Sequence, residues 1–226
     1  MLSIVIPVFN EENSLGQCLD TILTQPGDYE IIIVDGGSND NTLAVAQART
    51  GVRILTAIKG RGSQMNAGAQ AARGDWLLFL HADTLIEKNT IATLTQLMAK
   101  ASFEVGCFWH RFDSRHPWLR IVSLIHNLRF RFTHIIYGDQ GLLIRRELFT
   151  RLNGFKESIV MEDIEFSERL RQVSRPICLP LSVITSARKF RAIGIYRATL
   201  KVLALMHAYG RHRKDTHRDL FFSDIR

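Results

Sequence analysis

Short apolar segments alternate with amphipathic ones along the first hundred residues, and this alternation restricts the fold more than any other feature of the chain. Leu2–Val8, Ile31–Val34 and Trp76–Leu80 have the length and composition of buried strands, and Val52–Thr56 is a weaker candidate. Helices are predicted between and after them at Glu11–Gln25 with Asn10 as N-cap, at Asn41–Arg49, at Ser63–Arg73 closed by Gly74, and at Thr90–Ala101. This order predicts an α/β fold in which a mostly parallel sheet carries helices on both faces.

The pattern changes after residue 104. A strand is predicted at Val105–Phe112, followed by helices at Trp118–Phe132, from Glu162 to about Val173, and at Gly194–Tyr209, with a charged tail at Arg211–Arg226. The chain contains no internal repeat and no low-complexity linker. We therefore expect one continuous domain over residues 1–226.

Two of the predicted strands end in an acidic residue. Asp35 follows Ile31–Val34, and His81-Ala82-Asp83 follows Trp76–Leu80. Ligands of open α/β sheets bind beyond the carboxyl ends of the strands, and Mg²⁺ is commonly held by one or two carboxylates together with phosphate oxygens. A nucleotide site is thus the leading hypothesis, although Asp35 fits an ordinary turn equally well and Asp83 fits a strand-end cap.

Charged residues at two helix starts are further candidates. Lys59 and Arg61 precede an Ala-rich helix, where cations and a helix N-terminus suit a diphosphate, although solvated loop cations alone explain them better. Glu162 and Asp163 begin another helix, where one of them is a candidate general base. The helix macrodipole stabilises carboxylates at that position in any case, so capping competes with catalysis.

Composition narrows the functional class. The net charge of +7 is compatible with nucleic acid, anionic membrane or phosphorylated substrates as partners. Cys18, Cys107 and Cys178 are widely spaced among apolar residues, as in a reducing compartment. The chain shows no signal-peptide pattern and no apolar run of bilayer-spanning length, so we expect a cytoplasmic protein.

The predicted helix Trp118–Phe132 mixes Arg with Leu, Ile and Phe. Such a helix either lies on a membrane surface or on a partner, or packs in the core with its Arg stems reaching water. The second arrangement is the commoner one. The first would bring the protein to the inner membrane surface.

Several motifs follow one another in the order and spacing of a known family. They are Ser3–Glu12, Asp35 within Val34–Asp40, the stretch from Gly62 to Asp75, His81–Asp83, Arg145–Phe149, Asn153–Phe155 and Glu162-Asp163. On these motifs the chain resembles a family 2 glycosyltransferase of the GT-A fold. Its compact length and the segment Thr185-Ser186-Ala187-Arg188 resemble a small, bacterial, non-processive subgroup. It lacks the Gln-X-X-Arg-Trp motif of processive synthases.

The resemblance implies an inverting, metal-dependent transfer of sugar from a nucleotide-diphosphate sugar to a hydroxyl acceptor. Residues 1–104 would be the nucleotide-binding half, and residues 105–226 the acceptor-side half with a C-terminal helix. Asp163 would be the catalytic base with Glu162 beside it, and Asp83 would carry Mg²⁺ or Mn²⁺. The residues implied in binding the sugar donor are Pro7, Asn10, Glu11, Asp35, Lys59, Arg61, Gln140 and Arg188.

His81 replaces the first acid of the family's Asp-X-Asp motif. This departure leaves room for a catalytically weak module that binds nucleotide sugars or docks on membranes. A sugar-phosphate nucleotidyltransferase is the other alternative, but Pro7–Leu15 lacks the glycine-rich signature with Lys or Arg that it requires. We expect a nucleotide-sugar donor, an unidentified hydroxyl acceptor and peripheral membrane contact, and no nucleic-acid partner. The oligomeric state, the nucleotide base and the sugar are left open.

Overall fold

The computed structural model describes residues 1–100, 102–157 and 161–211. Its described strands form one eight-stranded sheet in the order β3-β2-β1-β4-β7-β6-β8-β5. The strands are β1 (Leu2–Val8), β2 (Tyr29–Asp35), β3 (Val52–Thr56), β4 (Trp76–Phe79), β5 (Thr84–Ile86), β6 (Val105–Phe112), β7 (Leu142–Arg145) and β8 (Ile177–Thr185). The helices are α1 (Glu12–Leu23), α2 (Thr42–Gln47), α3 (Arg61–Ala71), α4 (Thr90–Ala99), α5 (Pro117–Thr133), α6 (Arg146–Arg151), α7 (Glu162–Leu170), α8 (Arg188–Ile193) and α9 (Ile195–Arg211).

The sheet has a parallel half and a mixed half. Strands β3, β2, β1 and β4 are parallel, whereas β7 runs antiparallel to both β4 and β6. Strand β8 is parallel to β6, and β5 is antiparallel to β8. The carboxyl ends of β1, β2 and β4 therefore meet at one edge of the sheet, where β1 lies between its two parallel neighbours.

Both faces of β1 are buried. Ile4 and Ile6 belong to one apolar cluster with Leu15 of α1, and Val5 belongs to the opposite cluster with Met65 of α3. A strand covered on both faces reads as a continuous apolar run because neither face meets water. The predicted α/β fold with helices on both faces is confirmed.

Two residues predicted to begin or end a helix, Asn10 and Gly74, have other roles in the structure. Asn10 is not the N-cap of α1, which is Glu11. Instead Asn10 adopts a left-handed backbone (φ 53°), and its Oδ1 accepts a hydrogen bond from the Asn39 N–H at 2.9 Å. Gly74 does not close α3, which ends earlier, at Ala71. A Cβ on Gly74 would lie 2.7 Å from the Met1 carbonyl oxygen, so this glycine permits close approach to the start of β1.

Sequence reasoning missed β5, β7, β8, α6 and α8. Strand β5 has three residues, and β7 and α6 follow each other without a connecting loop. Strand β8 contains Pro180, which argues against a paired strand because proline has no N–H. Pro180 lies where the register of β8 against β6 shifts, between the pairs Cys107–Cys178 and Trp109–Ser182.

Helix α7 ends at Leu170 rather than near Val173, and residues 212–226 of the predicted tail lie outside the described residues.

Gly68 of α3 tests how tightly this helix packs on the sheet. A Cβ there would lie 2.3 Å from Cγ1 of Val5 and 3.0 Å from Cγ2 of Val34. We expect Gly68→Ala to lower the free energy of unfolding by about 1–3 kcal/mol, measured by urea titration. Gly16→Ala in α1 is the matched control, because its Cβ would meet the movable end of Arg49 and the helix gains from alanine. Equal stabilities of the two variants would contradict the packing assigned to α3.

Candidate active site

The end of β2 is a tightly bonded turn around Asp35. The buried Asp35 carboxylate accepts hydrogen bonds from the Gly37 N–H at 2.9 Å and from the Ser38 hydroxyl at 2.5 Å. The Asn10 N–H donates to the same Ser38 hydroxyl at 2.9 Å. Asp35 thus fixes the shape of the turn that follows β2. The bond from Asn10 to Ser38 links this turn to the segment that follows β1.

Gln64 holds those two strand ends together, and sequence reasoning did not single it out. Its buried carboxamide Nε2 donates to the carbonyl oxygens of Val8 and Val34, both at 2.7 Å. The Val8 carbonyl ends β1 and the Val34 carbonyl lies one residue before the end of β2, so the two bonds tie the first turn of α3 to the sheet edge. Pro7 lies buried inside β1, paired with Val34, and its predicted contact with the sugar donor stays a prediction.

The two cations before α3 have different surroundings. The Lys59 ammonium lies 4.0 Å from the centroid of the Phe9 ring. Arg61 Nε lies 2.9 Å from a carboxylate oxygen of Glu162, which begins α7. Burial raises the pKa of Glu162 although Arg61 opposes the shift, and Glu162 in turn raises the pKa of Arg61. Arg61 therefore connects α3 to the predicted catalytic pair, Glu162 and Asp163.

Asp163 and His81 meet at Gly138. The Gly138 N–H donates to Asp163 Oδ2 at 2.6 Å, and a Cβ on Gly138 would lie 2.6 Å from His81 Nε2. Only glycine fits this position without displacing the imidazole. His81, Gly138, Glu162 and Asp163 line a small cavity that is partly open to solvent, with Tyr137, Ser167 and apolar side chains on its remaining walls.

Helix α8 supplies cations to two of the predicted acids. Arg188 forms an ion pair with Glu11, just beyond β1, and Lys189 Nζ lies 3.9 Å from Asp83 Oδ2. The Asp83 side chain is 10% exposed. The structure thus brings Glu11, Arg188 and Asp83 into one region through α8.

Asp83 is the acid predicted to carry a metal ion. Its carboxylate has the Lys189 ammonium as a cationic neighbour, and Mg²⁺ is often bound by one carboxylate plus a substrate phosphate. Among residues 1–100, 102–157 and 161–211, no group of three or more His, Cys, Asp or Glu side chains is arranged to hold a metal ion. The described residues therefore form no complete protein cage for a metal ion.

Asp139 lies against two histidines. Its carboxylate oxygens are 3.3 Å from His126 Nε2 and 3.6 Å from His110 Nε2. Burial alone would raise the pKa of Asp139, but the two imidazoles outweigh it and hold that pKa well below the ordinary range. Burial also lowers the pKa of His110, which is 1% exposed. Nothing in the spacing of these three residues along the sequence pointed to this cluster.

Gln140 is buried behind the cavity. Its Oε1 accepts hydrogen bonds from Arg129 at 3.1 Å and from the Tyr137 N–H at 3.3 Å. The Arg129 guanidinium lies 3.4 Å from the centroid of the Tyr137 ring. Gln140 thus positions Tyr137, a wall of the cavity, and its predicted contact with the sugar donor stays a prediction.

His81 is electrostatically central to the site. Burial lowers its pKa, and Arg61 lowers it further, whereas Asp83, Asp139 and Asp163 raise it. These charges come from α3, from the segments after β4 and before β7, and from α7. They converge on one strand-end residue, as the sheet topology requires.

Residues 3–152 of the chain match the sequence profile described as Glycosyl transferase family 2. The chain belongs to this family. It is 40% identical over 108 residues to a PGL/p-HBAD biosynthesis glycosyltransferase of Mycobacterium bovis, a match that covers 44% of this chain and 42% of the relative. It is 30% identical over 207 residues to an undecaprenyl-phosphate 4-deoxy-4-formamido-L-arabinose transferase of Shewanella sediminis, covering 77% of this chain and 61% of the relative. The chain thus spans less than half of the first relative and under two thirds of the second.

Solved structures place this family 2 chain in the GT-A fold. The mannosyltransferase PcManGT from Pyrobaculum calidifontis, in complex with GDP-Man and Mn²⁺, superposes with a TM-score of 0.70 at 20% identity, covering 95% of this chain and 65% of that chain. TarS from S. aureus in complex with UDP-GlcNAc superposes with a TM-score of 0.67 at 17% identity, covering 83% of this chain and 58% of that chain. The predicted fold and family are confirmed.

The buried histidine of this family 2 chain predicts a pH dependence. Because the folded pKa of His110 lies below its unfolded value, the unfolded state binds more protons once the pH falls below about 6.5. We expect the free energy of unfolding to decrease as the pH falls from about 7.5 to about 5.5, and His110→Gln to reduce that slope by up to about 1.4 kcal/mol per pH unit. His81, whose pKa is also lowered, contributes to the slope that is left.

Urea unfolding at three pH values measures the slope. His134→Gln, at the C-cap of α5, controls for the loss of an imidazole. An unchanged slope in His110→Gln would show that His110 gains its proton equally well in the folded state.

Proposed function

We propose that this chain is an inverting glycosyltransferase that moves a sugar from a nucleotide-diphosphate sugar to a hydroxyl acceptor. The observation that carries the proposal is the convergence of Asp163, Glu162 and His81 on one cavity at the carboxyl edge of the parallel strands. Membership of family 2 supports the reaction class. It also favours transfer over the nucleotidyltransferase alternative.

Asp163 is the general base of the proposal. The Gly138 N–H orients its carboxylate, and Arg61 holds Glu162 in an ion pair beside it. Asp163 removes the proton of the acceptor hydroxyl as that oxygen forms a bond to the anomeric carbon and the bond to the nucleoside diphosphate breaks. A single displacement requires attack opposite the leaving group, so the configuration inverts.

The sugar donor is assigned to the edge formed by the ends of β1, β2 and β4. The Asp35 turn, with Pro7 and Asn10, receives the nucleoside, and Lys59 and Arg61 attract the diphosphate. Glu11 and Arg188 border this edge as an ion pair, and Gln140 supports its wall. PcManGT with GDP-Man and TarS with UDP-GlcNAc support a nucleotide-diphosphate sugar as the donor.

Asp83 would hold Mg²⁺ or Mn²⁺ together with the diphosphate. The bound cation would neutralise the charge that builds up on the departing diphosphate. The Mn²⁺ in the PcManGT complex supports this assignment. Because His81 stands where a second acid is usual, the chain itself contributes one carboxylate from this motif.

Asp163→Asn tests the base. We expect the variant to hydrolyse UDP- and GDP-sugars with Mn²⁺ at least about 100-fold more slowly than wild type, with water taking the place of the acceptor hydroxyl. Binding of the nucleotide should be retained. The control is Glu165→Gln on the same helix, since Glu165 pairs with Lys156 and Arg169 away from the cavity. Equal turnover by wild type and Asp163→Asn would refute Asp163 as the base, whereas nucleotide-sugar binding without turnover by either protein would favour the weak-binding alternative.

Thermal shift tests the nucleotide edge. At a hundredfold excess over its Kd, a UDP- or GDP-sugar with Mn²⁺ should add about 2.7 kcal/mol of stability. We expect Asp35→Ala to remove the shift and Asp83→Asn to remove the part that depends on Mn²⁺. Ser38→Ala controls for damage to the turn, because it removes one bond to Asp35 but keeps the carboxylate. A full Mn²⁺-dependent shift in Asp83→Asn would exclude Asp83 as the cation ligand.

A further inference from the structure

We infer that α5 and α9 form a docking surface for an anionic lipid bilayer. Helix α5 packs on the protein through Leu119, Ser123 and Phe130. The opposite side of a surface helix is normally polar. In α5 it carries an exposed apolar row at spacings of three and four residues, which we call the α5 stripe: Ile121, Leu124, Ile125, Leu128 and Phe132. Leu124 is 65% exposed and Phe132 is 78% exposed.

Helix α9 repeats the arrangement. Tyr196, Leu200 and Leu203 are exposed at spacings of four and three residues, and we call this row the α9 stripe. The two helices touch near their N-termini, because the Trp118 and Tyr196 ring centroids are 5.5 Å apart. Trp118 Nε1 also donates to the Thr199 hydroxyl at 3.1 Å. The stripes therefore belong to neighbouring helices.

The charges beside the stripes are all positive. Residues 117–133 and 188–211 contain no Asp or Glu. Exposed cations flank the stripes at Arg120 and Arg131 of α5 and at Arg197 and Lys201 of α9. Apolar rows bordered by cations match the headgroup region of an anionic bilayer, where the apolar side chains enter and the cations meet lipid phosphates.

Charge also argues against a second copy of this chain as the occupant. A two-fold contact through the stripes would place each surface against itself and bring cations against cations. Among the described residues, no helix combines the length and the apolar character needed to cross a bilayer. A pair of helices that lies on a bilayer surface agrees with the positive charge of the stripes and with the absence of a bilayer-spanning helix among the described residues.

The surface adjoins the catalytic cavity. Tyr137, a wall of that cavity, stacks on Arg129 of α5, and its hydroxyl contacts Met206 Sδ of α9 at 3.8 Å. Docking would thus hold the cavity near the membrane surface, within reach of a hydroxyl acceptor carried on a lipid. This orientation rests on the proposed function, whereas the binding itself does not.

Vesicle co-sedimentation of the full chain, without nucleotide sugar, tests the inference. We expect binding to phosphatidylcholine vesicles that contain phosphatidylglycerol, weak binding to pure phosphatidylcholine, and release by high salt. Leu124→Gln/Phe132→Gln and Arg120→Glu/Arg131→Glu should each reduce partitioning by about tenfold or more. Val173→Gln/Ile177→Gln and Lys88→Glu/Lys100→Glu are the matched controls at exposed positions outside the stripes, and they should bind like wild type.

Absence of wild-type binding to phosphatidylglycerol vesicles would overturn the inference, as would equal losses in stripe and control variants. A concentration-dependent dimer that only the stripe variants abolish would assign the surface to a second copy instead. Circular dichroism and thermal unfolding establish that each variant is folded. Nucleotide-sugar hydrolysis is measured on the same preparations to separate membrane docking from the proposed function. Loss of vesicle binding with intact hydrolysis would count against docking alone, and loss of hydrolysis with intact vesicle binding would count against the proposed function alone.

Discussion

The ion pair between Arg61 and Glu162 links the two halves of the site. Arg61 begins α3, which Gln64 ties to the ends of β1 and β2, and Glu162 begins α7 next to Asp163. Removing one partner of a fully buried pair costs about 3–5 kcal/mol because the other charge is left without compensation. Arg61 is partly exposed, so solvent screening reduces that cost here. The pair nevertheless connects the start of α3 to the start of α7, where the proposed base lies.

Around this ion pair, the pKa values of several side chains depend on the charges of their neighbours. His81 lies within the influence of one arginine and three aspartates, and Asp139 owes its low pKa to two imidazoles. Such coupling follows from the topology, because strand ends and helix starts from both halves of the sheet meet at one edge. A substitution at one of these positions therefore changes the electrostatic field at His81 or Asp139 as well.

The sequence predicted the parts of the fold that depend on local pattern. The first four strands lie where their apolar runs predicted them, since burial on both sides produces such runs, and α1 to α5 overlap the predicted helices with shifted ends. It could not predict β8, whose Pro180 is tolerated by a register shift, nor the cap of α1, where Asn10 bonds to Asn39 across the turn. The predicted acids and cations were grouped by resemblance, but the pairs Arg61–Glu162 and Glu11–Arg188 depend on distances between elements far apart in sequence. The His110–His126–Asp139 cluster arises from the same cause.

Helix α8 has a consequence for how the protein responds to its surroundings. Its Lys189 neighbours the carboxylate that is proposed to share a cation, its Arg188 pairs with Glu11, and Gly194 alone separates it from α9. Any influence that displaces α8 by way of α9 would alter the field at Asp83. By thermodynamic reciprocity, a divalent ion bound at Asp83 would then change the free energy of displacing α9 by the same amount.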